Sequence, residues 1–317
     1  MRRGRVLVAC DRIGALSSTE AGAALGRGLA DFADVAVVPL ALGGLDLAEA
    51  IATIAAAPVH SDGAGWWVQT GDALVIGWRQ EPRGWDPDAD TSDLGRWVAA
   101  VAADAPELPV HLDLTGVTAI DGGAGLLAHA AEPLAGRLEL AIVAGDDLVR
   151  PATGLQGVVA TRGYAAGLAV GEVLAADNAM QAYADRLGAG LATAAGGGAS
   201  GGAGLAVLHL GGRLLSGPQY CHFLARMEPT LAAADLVITG CTALSALDRG
   251  GPVVAAVAEW ADHAQTPCVA LAGGQELSRR ELRTFGLEGM YAVPVDVSAD
   301  ALTATAVRVG RSWFAVR

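Results

Sequence analysis

Two aspartates and one glycine run are placed where they could act on a small phosphorylated molecule. Asp11 follows the apolar run Val6-Leu7-Val8-Ala9, at the expected C-terminal end of a first strand. There a carboxylate can ligate a metal, orient a substrate, or serve only as a turn or capping residue. Asp121 opens Asp121-Gly122-Gly123-Ala124-Gly125. It can activate an attacking hydroxyl, with a plain turn aspartate as the alternative. Gly196-Gly197-Gly198-Ala199-Ser200-Gly201-Gly202 can cradle phosphates on backbone N–H groups, as glycine-rich turns at helix starts do. The same composition suits a flexible linker, but the helical stretch expected at residues 205–215 favours the cradle. All 21 basic residues are arginine and lysine is absent. No lysine-based chemistry is therefore available, and arginine meets a phosphate bidentately rather than as a point charge.

Other chemistries find little support. The six histidines, His60, His111, His129, His209, His222 and His263, fall in no metal-ligand spacing. Cys10, Cys221, Cys241 and Cys268 form no CxxC pair, which argues against zinc or a disulfide framework. No dedicated protein metal site is expected. The Trp66-Trp67 pair, Trp78 and Trp85 read as core packing or loop anchors before a ligand platform.

The elements that must position these residues follow a parallel α/β rhythm. Residues 6–9 form a short apolar strand, and Ser17 or Ser18 can cap a helix over residues 21–30. Residues 35–39 give the second strand. The C-terminal third is clearer: strand 235–240, helix 253–263 with Pro252 at its start, strand 266–273, helix 277–285, strand 290–295 and helix 299–309. Each strand is nearly all apolar, as expected when helices cover both sheet faces. In the middle, residues 68–78, 110–114 and 138–144 read as strands, 94–103 as a helix and 79–93 as an exposed loop. The expected fold is α/β: a doubly wound, flavodoxin-like parallel sheet domain from residues 1–61 and 221–317, with a second α/β domain inserted at residues 62–220. Ligands in such sheets bind beyond the strand C-termini, often where domains meet.

The 317 residues suffice for two domains of ordinary size. A net charge of −13 argues against nucleic acid. Apolar stretches are short and interrupted, as Asp235 interrupts residues 231–238, so no membrane association is expected. The opening Met1-Arg2-Arg3-Gly4-Arg5 with its short apolar sequel reads as a buried strand rather than a signal segment. The expected location is the cytoplasm.

Four glycine-centred stretches, in order, resemble the glycerate kinase family. Val8-Ala9-Cys10-Asp11-Arg12-Ile13-Gly14-Ala15-Leu16-Ser17-Ser18-Thr19-Glu20-Ala21 resembles the opening APDSFKGSLSAxEA. Thr118-Ala119-Ile120-Asp121-Gly122-Gly123-Ala124-Gly125-Leu126-Leu127 resembles SATNDGGAGML. Asp147-Leu148-Val149-Arg150-Pro151 with Gly154 and Gly157 resembles DVxNPLxGxxGA. The glycine run matches PGSGAAGG in spacing, and Ala234-Asp235-Leu236-Val237-Ile238-Thr239-Gly240 is the strand ADLVITG. The resemblance runs from residue 6 to about residue 275. It implies a two-domain kinase that moves the γ-phosphoryl group of ATP to glycerate at a site between the domains.

On that resemblance, catalytic roles fall to Asp121 and Asp11. Phosphate and nucleotide contacts fall to Gly196, Gly197, Gly198, Gly201, Gly202, Thr239, Gly240, Arg12 and Arg249, and substrate contacts to Ser17, Gly122 and Gly123. ATP and Mg²⁺ are the implied cofactors, neither tightly bound. Glycerate or a similar hydroxy acid and a nucleotide are the implied small-molecule partners, and a homodimer or an unknown protein partner stays open.

The departures are local. The opening lysine has no counterpart, and the early ADGGEGT motif is reduced to Ala41-Leu42-Gly43-Gly44-Leu45. The QKG segment reads Tyr164-Ala165-Ala166-Gly167. The EGxxDxQTxxGK sequel of ADLVITG reads Cys241-Thr242-Ala243-Leu244-Ser245-Ala246-Leu247-Asp248-Arg249-Gly250-Gly251. Arg12, Arg162 and Arg249 stand beside the missing lysines, by replacement or by chance. Two lost charged groups at ~2–4 kcal/mol each lower a rate by at least ~10³-fold. The expected function is phosphorylation of glycerate to phosphoglycerate at a strongly reduced rate or not at all. The alternative is a non-catalytic member that serves as a nucleotide- or carboxylate-binding or regulatory protein.

Overall fold

Strand β1 (Gly4–Cys10) is buried from Val6 onward and enters helix α1 (Ser18–Leu29) through a short loop. Ser17 caps α1: its hydroxyl accepts from the Glu20 N–H while the Glu20 carboxylate accepts from the Ser17 N–H, a reciprocal box that fixes the helix start. Strand β2 (Ala33–Pro39) and helix α2 (Gly44–Ala55) follow. The computed structural model describes residues 3–79, 85–86, 88–244, 250–275, 277–294 and 296–314.

Next come β3 (His60–Ser61), β4 (Gly65–Gln69), β5 (Leu74–Trp78), α3 (Ser92–Ala103), β6 (Val110–Asp113), α4 (Ala124–Leu134) and β7 (Leu138–Val143). Helices α5 (Val158–Ala165), α6 (Val170–Leu187) and α7 (Ala203–His209) precede β8 (Arg213–Ser216) and α8 (Gly217–Leu224). The chain ends with α9 (Glu228–Ala233), β9 (Leu236–Leu244), α10 (Pro252–His263), β10 (Cys268–Gln275), α11 (Arg279–Thr284), β11 (Gly289–Ala292) and α12 (Ala299–Phe314).

The chain divides into two compact units, one of Met1–Leu42, Glu49–Ala55 and Pro218–Arg317, the other of Gly43–Ala48 and Ala56–Gly217. Unit one holds a five-stranded sheet in the order β11-β10-β9-β1-β2, parallel throughout. Strands from both ends of the sequence thus pair directly, in the flavodoxin-like order. Val6, Val8, Ile238 and Val269 pack under Leu25 of α1 and Leu302 of α12. Unit two holds a six-stranded sheet, β3 to β8 in sequence order, antiparallel at its first two pairings and parallel at the other three. Leu74, Ile76 and Leu112 pack there under Leu94 and Val98 of α3 and Leu126 of α4.

Two expectations change. Residues 68–78 are not one strand but parts of a hairpin, because the Thr70 N–H and hydroxyl both donate to the Ala73 carbonyl and reverse the chain. Residues 205–215 are not one helix: α7 ends at His209, Gly211 and Gly212 break it, and β8 begins at Arg213. Among the described residues no helix is long and apolar enough to cross a membrane.

Candidate functional site

In unit one the loop after β1 is tied to the end of β9. The Asp11 N–H donates to the Gly240 carbonyl (3.0 Å) and the Gly14 N–H to the Thr242 hydroxyl (3.1 Å). One Asp11 oxygen accepts the Arg12 N–H (2.8 Å), which holds the half-buried carboxylate beside the exposed arginine. Asp11, Arg12, Cys241, Thr242 and the Gly250-Gly251 pair leading into α10 line a cavity of about 360 Å³. It lies where the strand order reverses, between β1 and β9, the crevice in which open α/β sheets hold ligands. Burial pushes the Cys10 and Cys221 thiols up to about 12, and the Asp11 charge adds to both shifts.

Other predicted residues of unit one have structural employment. The Ser17 hydroxyl caps α1 and donates to Glu49 (2.8 Å). Thr239 is fully buried, and among the described residues its hydroxyl has no hydrogen-bond partner. Gly240 leaves no room for a Cβ, which would press on Ile13 and the Leu271 carbonyl (both 2.7 Å). Arg249 lies outside the described residues.

In unit two Asp121 is the organiser of the α4 entrance. One carboxylate oxygen accepts the Thr91 N–H (2.8 Å), the Thr91 hydroxyl (2.7 Å) and the Gly125 N–H (3.0 Å), and the other accepts the Gly123 N–H (2.9 Å). The Thr91 oxygen in turn accepts the Leu126 N–H (2.8 Å). Gly122 and Gly123 are buried with positive φ, against Tyr183 and Ala206 respectively.

The glycine run is neither open nor a linker: residues 196–202 are all buried. Five of the seven N–H groups that would form a phosphate cradle donate within the protein: Gly197 to Ala194, Gly198 to Arg150, Ala199 to Gly196, Gly202 to Gly198, and Ser200 to the Asp147 carboxylate (3.1 Å). A Cβ at Gly201, whose φ is +72°, would collide with the Ala119 carbonyl, and one at Gly198 with that of Pro151. These glycines allow close backbone packing, and a phosphate at this run would have to displace those bonds.

Asp147 anchors this packing. Besides Ser200, it accepts from Arg150 Nε at 2.6 Å, and Arg150 also reaches Thr161 and Asp146. Arg162 donates to the Thr118 carbonyl (3.2 Å), and burial draws its guanidinium below the ordinary value. Thr118 lines a cavity of about 270 Å³ together with Asp90, Asp93 and Thr91. A second, of about 450 Å³, is lined by Gly43, Gly44, Leu45 and Trp66; Trp78 and Arg79 border both. Asp113, at the end of β6, is buried and accepts from the Gly44 N–H (2.6 Å) and from Thr115. Burial raises its pKa against those three bonds, and the contact fixes the first turn of α2 to unit two.

Sequence reasoning did not assign Thr91, Asp113, Asp147 or Arg150 to a site. Asp147 and Arg150 sat within a recognised segment and were within reach; Thr91 and Asp113 lie in no motif. Among the described residues no group of three or more His, Cys, Asp or Glu could hold a metal ion. Mg²⁺ carried on a triphosphate needs only one or two protein carboxylates, so Asp11 with the Arg12 guanidinium fits such a group, while Asp121, which accepts four hydrogen bonds from its own chain, is less open to it.

The curated relatives include uncharacterized proteins of Mycobacterium bovis and Mycobacterium tuberculosis, each 30% identical over 206 residues, or 63% of this chain and 54% of the relative. The chain thus spans about half the length of the curated relatives it matches. Its fold is similar to the crystal structure of a protein provisionally named glycerate kinase 2 from Salmonella typhimurium LT2, with a TM-score of 0.78 at 22% identity over 98% of both chains. The model of the glycerate kinase family matches residues 112–309, more than half of the sequence, and the chain belongs to that family.

Proposed function

We propose that this protein is a cytoplasmic family member that binds a nucleotide or a small hydroxy acid and phosphorylates glycerate at a strongly reduced rate or not at all. The observation that carries this reading is the Asp121 carboxylate, which accepts four hydrogen bonds from Thr91, Gly123 and Gly125. An ionised carboxylate offers about four lone-pair positions; three of these bonds crowd one oxygen and the fourth takes part of the other, which leaves at most one position, on the oxygen that faces Gly123, for a substrate proton.

The unit-one cavity supports the binding half of the reading. ATP with Mg²⁺ would supply the transferable phosphoryl group and the charge that neutralises it. Asp11 would share the metal, and Arg12 would meet a phosphate oxygen. Gly250 and Gly251, just before the twelve-residue α10, would present backbone N–H groups to an anion.

Calorimetric titration with ATP–Mg²⁺ and with glycerate separately, followed by a coupled kinase assay, tests both halves. Saturable binding with little turnover is expected. Turnover in the ordinary kinase range, on the order of 1–100 s⁻¹, would overturn the catalytic half, and the absence of binding by either compound would overturn the other.

A further inference from the structure

Helix α11 follows β10 and carries Arg279, Arg280 and Arg283, all exposed, in a chain whose net charge is −13. Arg283 is four residues from Arg279 and three from Arg280, so on a helix it neighbours both, a like-charge arrangement that disfavours the helix by itself. A carboxylate would normally relieve it. The one within the helix, Glu281, is turned back instead: one of its oxygens accepts the N–H and the hydroxyl of Ser278, both at 2.7 Å, and those bonds hold its pKa below the usual value. Among the described residues none of the three guanidinium groups makes an ion pair or a hydrogen bond. The three arginines and Thr284 line an open concavity of about 420 Å³.

We propose that this concavity is a binding site for a small polyphosphorylated anion, separate from the unit-one cavity that holds Asp11. Guanidinium forks match phosphate oxygens bidentately, and three of them on one helix turn match several adjacent phosphate charges better than a single carboxylate. The concavity is open on the solvent side, so an anion longer than one phosphate can lie along the three side chains. The site draws on Arg279, Arg280 and Arg283 alone and does not depend on whether the Asp11 cavity takes a nucleotide.

The test uses the full-length protein and pyrophosphate as the probe, with citrate as a polycarboxylate of comparable charge, titrated by calorimetry at physiological salt. Binding of pyrophosphate at least tenfold tighter than citrate is expected. It should fall at least tenfold in the Arg280→Gln/Arg283→Gln double variant, whose exposed positions spare the core, and persist in Arg12→Ala. Three results would overturn the proposal: no pyrophosphate binding, citrate bound equally well, or binding that survives the double variant, whatever Arg12→Ala does. Unchanged circular dichroism and melting of the double variant exclude misfolding as the cause of a loss.

Discussion

Thr91 and Asp121 form a closed two-residue lock: one carboxylate oxygen holds both the N–H and the hydroxyl of Thr91, and the hydroxyl oxygen accepts the Leu126 N–H inside α4. The pair joins the entrance of α3 to that of α4, the two helices that cover one face of the unit-two sheet. Asp121→Asn replaces an acceptor by an NH₂ group facing donors. Hydrogen bonds to a charged group contribute about 1.5–3 kcal/mol each, and an unmatched donor adds to the loss. We expect Asp121→Asn to destabilise by about 2–4 kcal/mol in urea unfolding. Thr91→Val should follow it, and Thr91→Ser, which keeps the hydroxyl, should stay close to the parent. Unchanged unfolding with abolished turnover would assign Asp121 to chemistry instead.

The glycine run supplies the second prediction. A linker or an open cradle would accept alanine at several positions, whereas a buried backbone contact would not. Gly201→Ala meets the Ala119 carbonyl at a left-handed φ of +72°, and Gly198→Ala meets the Pro151 carbonyl. Each should cost about 3 kcal/mol, from overpacking and, at Gly201, backbone strain. Gly171→Ala, which faces open space, should cost far less. Thermal melting of the three variants separates the cases.

How far the sequence reaches is visible in these same residues. The alternation of apolar strands and capped helices in the C-terminal third is local, so the flavodoxin-like order of unit one was legible from its strand rhythm and from Ser17 with Glu20. The hairpin of β4 and β5 was legible but went unread: its turn, closed by Thr70 and Ala73, is Gly71-Asp72, a two-residue pair that marks a hairpin between apolar runs. The motif aspartates could be found but their duties could not. A carboxylate in a glycine-rich turn reads the same whether its oxygens face a substrate or, like those of Asp121, face Thr91, which is 30 residues away in sequence. The same holds for Asp147 and Ser200, 53 residues apart.

Buried thiols set the alkaline limit. Cys10, Cys221 and Cys268 are fully buried, and burial raises each from 9.0 to about 12. The unfolded chain then releases these protons at lower pH than the folded one, so the stability they contribute is complete below about pH 9 and is lost as pH rises toward 12. Unfolding midpoints should fall across that window, and Cys268→Ala should reduce the slope. In the folded protein at pH 8 these three thiols should resist iodoacetamide, as read by peptide mass spectrometry. Rapid labelling of Cys10 below pH 8.5 would contradict the burial that underlies the shift.

Arg12 carries the fourth prediction. It is exposed at the rim of the unit-one cavity, beside Asp11 and the start of α10. A charge-assisted bond to phosphate at such a position contributes about 1–3 kcal/mol. Arg12→Ala should therefore weaken ATP–Mg²⁺ binding by about five- to 150-fold, and Arg311→Ala, exposed on α12, should leave it unchanged. Equal effects from the two would mean that the nucleotide is held by overall charge rather than at the strand-order reversal.

The fifth prediction concerns turnover, where missing charge and engaged side chains act together. A magnesium triphosphate brings negative charge into a protein of net −13 that has no lysine to receive it. Arg12 can meet one phosphate, but Arg150 is already spent on Asp147 and Asp146, and Arg162 on the Thr118 carbonyl. Transition-state stabilisation lost at two such points, at ~2–4 kcal/mol each, lowers the rate at least ~10³-fold. Glycerate phosphorylation should therefore run at least ~10³-fold below the ordinary kinase range of about 1–100 s⁻¹. Adding a second base should do little, because Asp121 already supplies a carboxylate and the deficit is of cations. Restoring a cation should help more: Ile13→Lys is unsuitable at a fully buried position, whereas Ala15→Lys, exposed on the same loop, adds charge near the cavity without entering the core. A rise in turnover with Ala15→Lys, at unchanged melting temperature, is the expected result. A parent enzyme already working at ordinary rates would show that the charge deficit is made good by groups other than these.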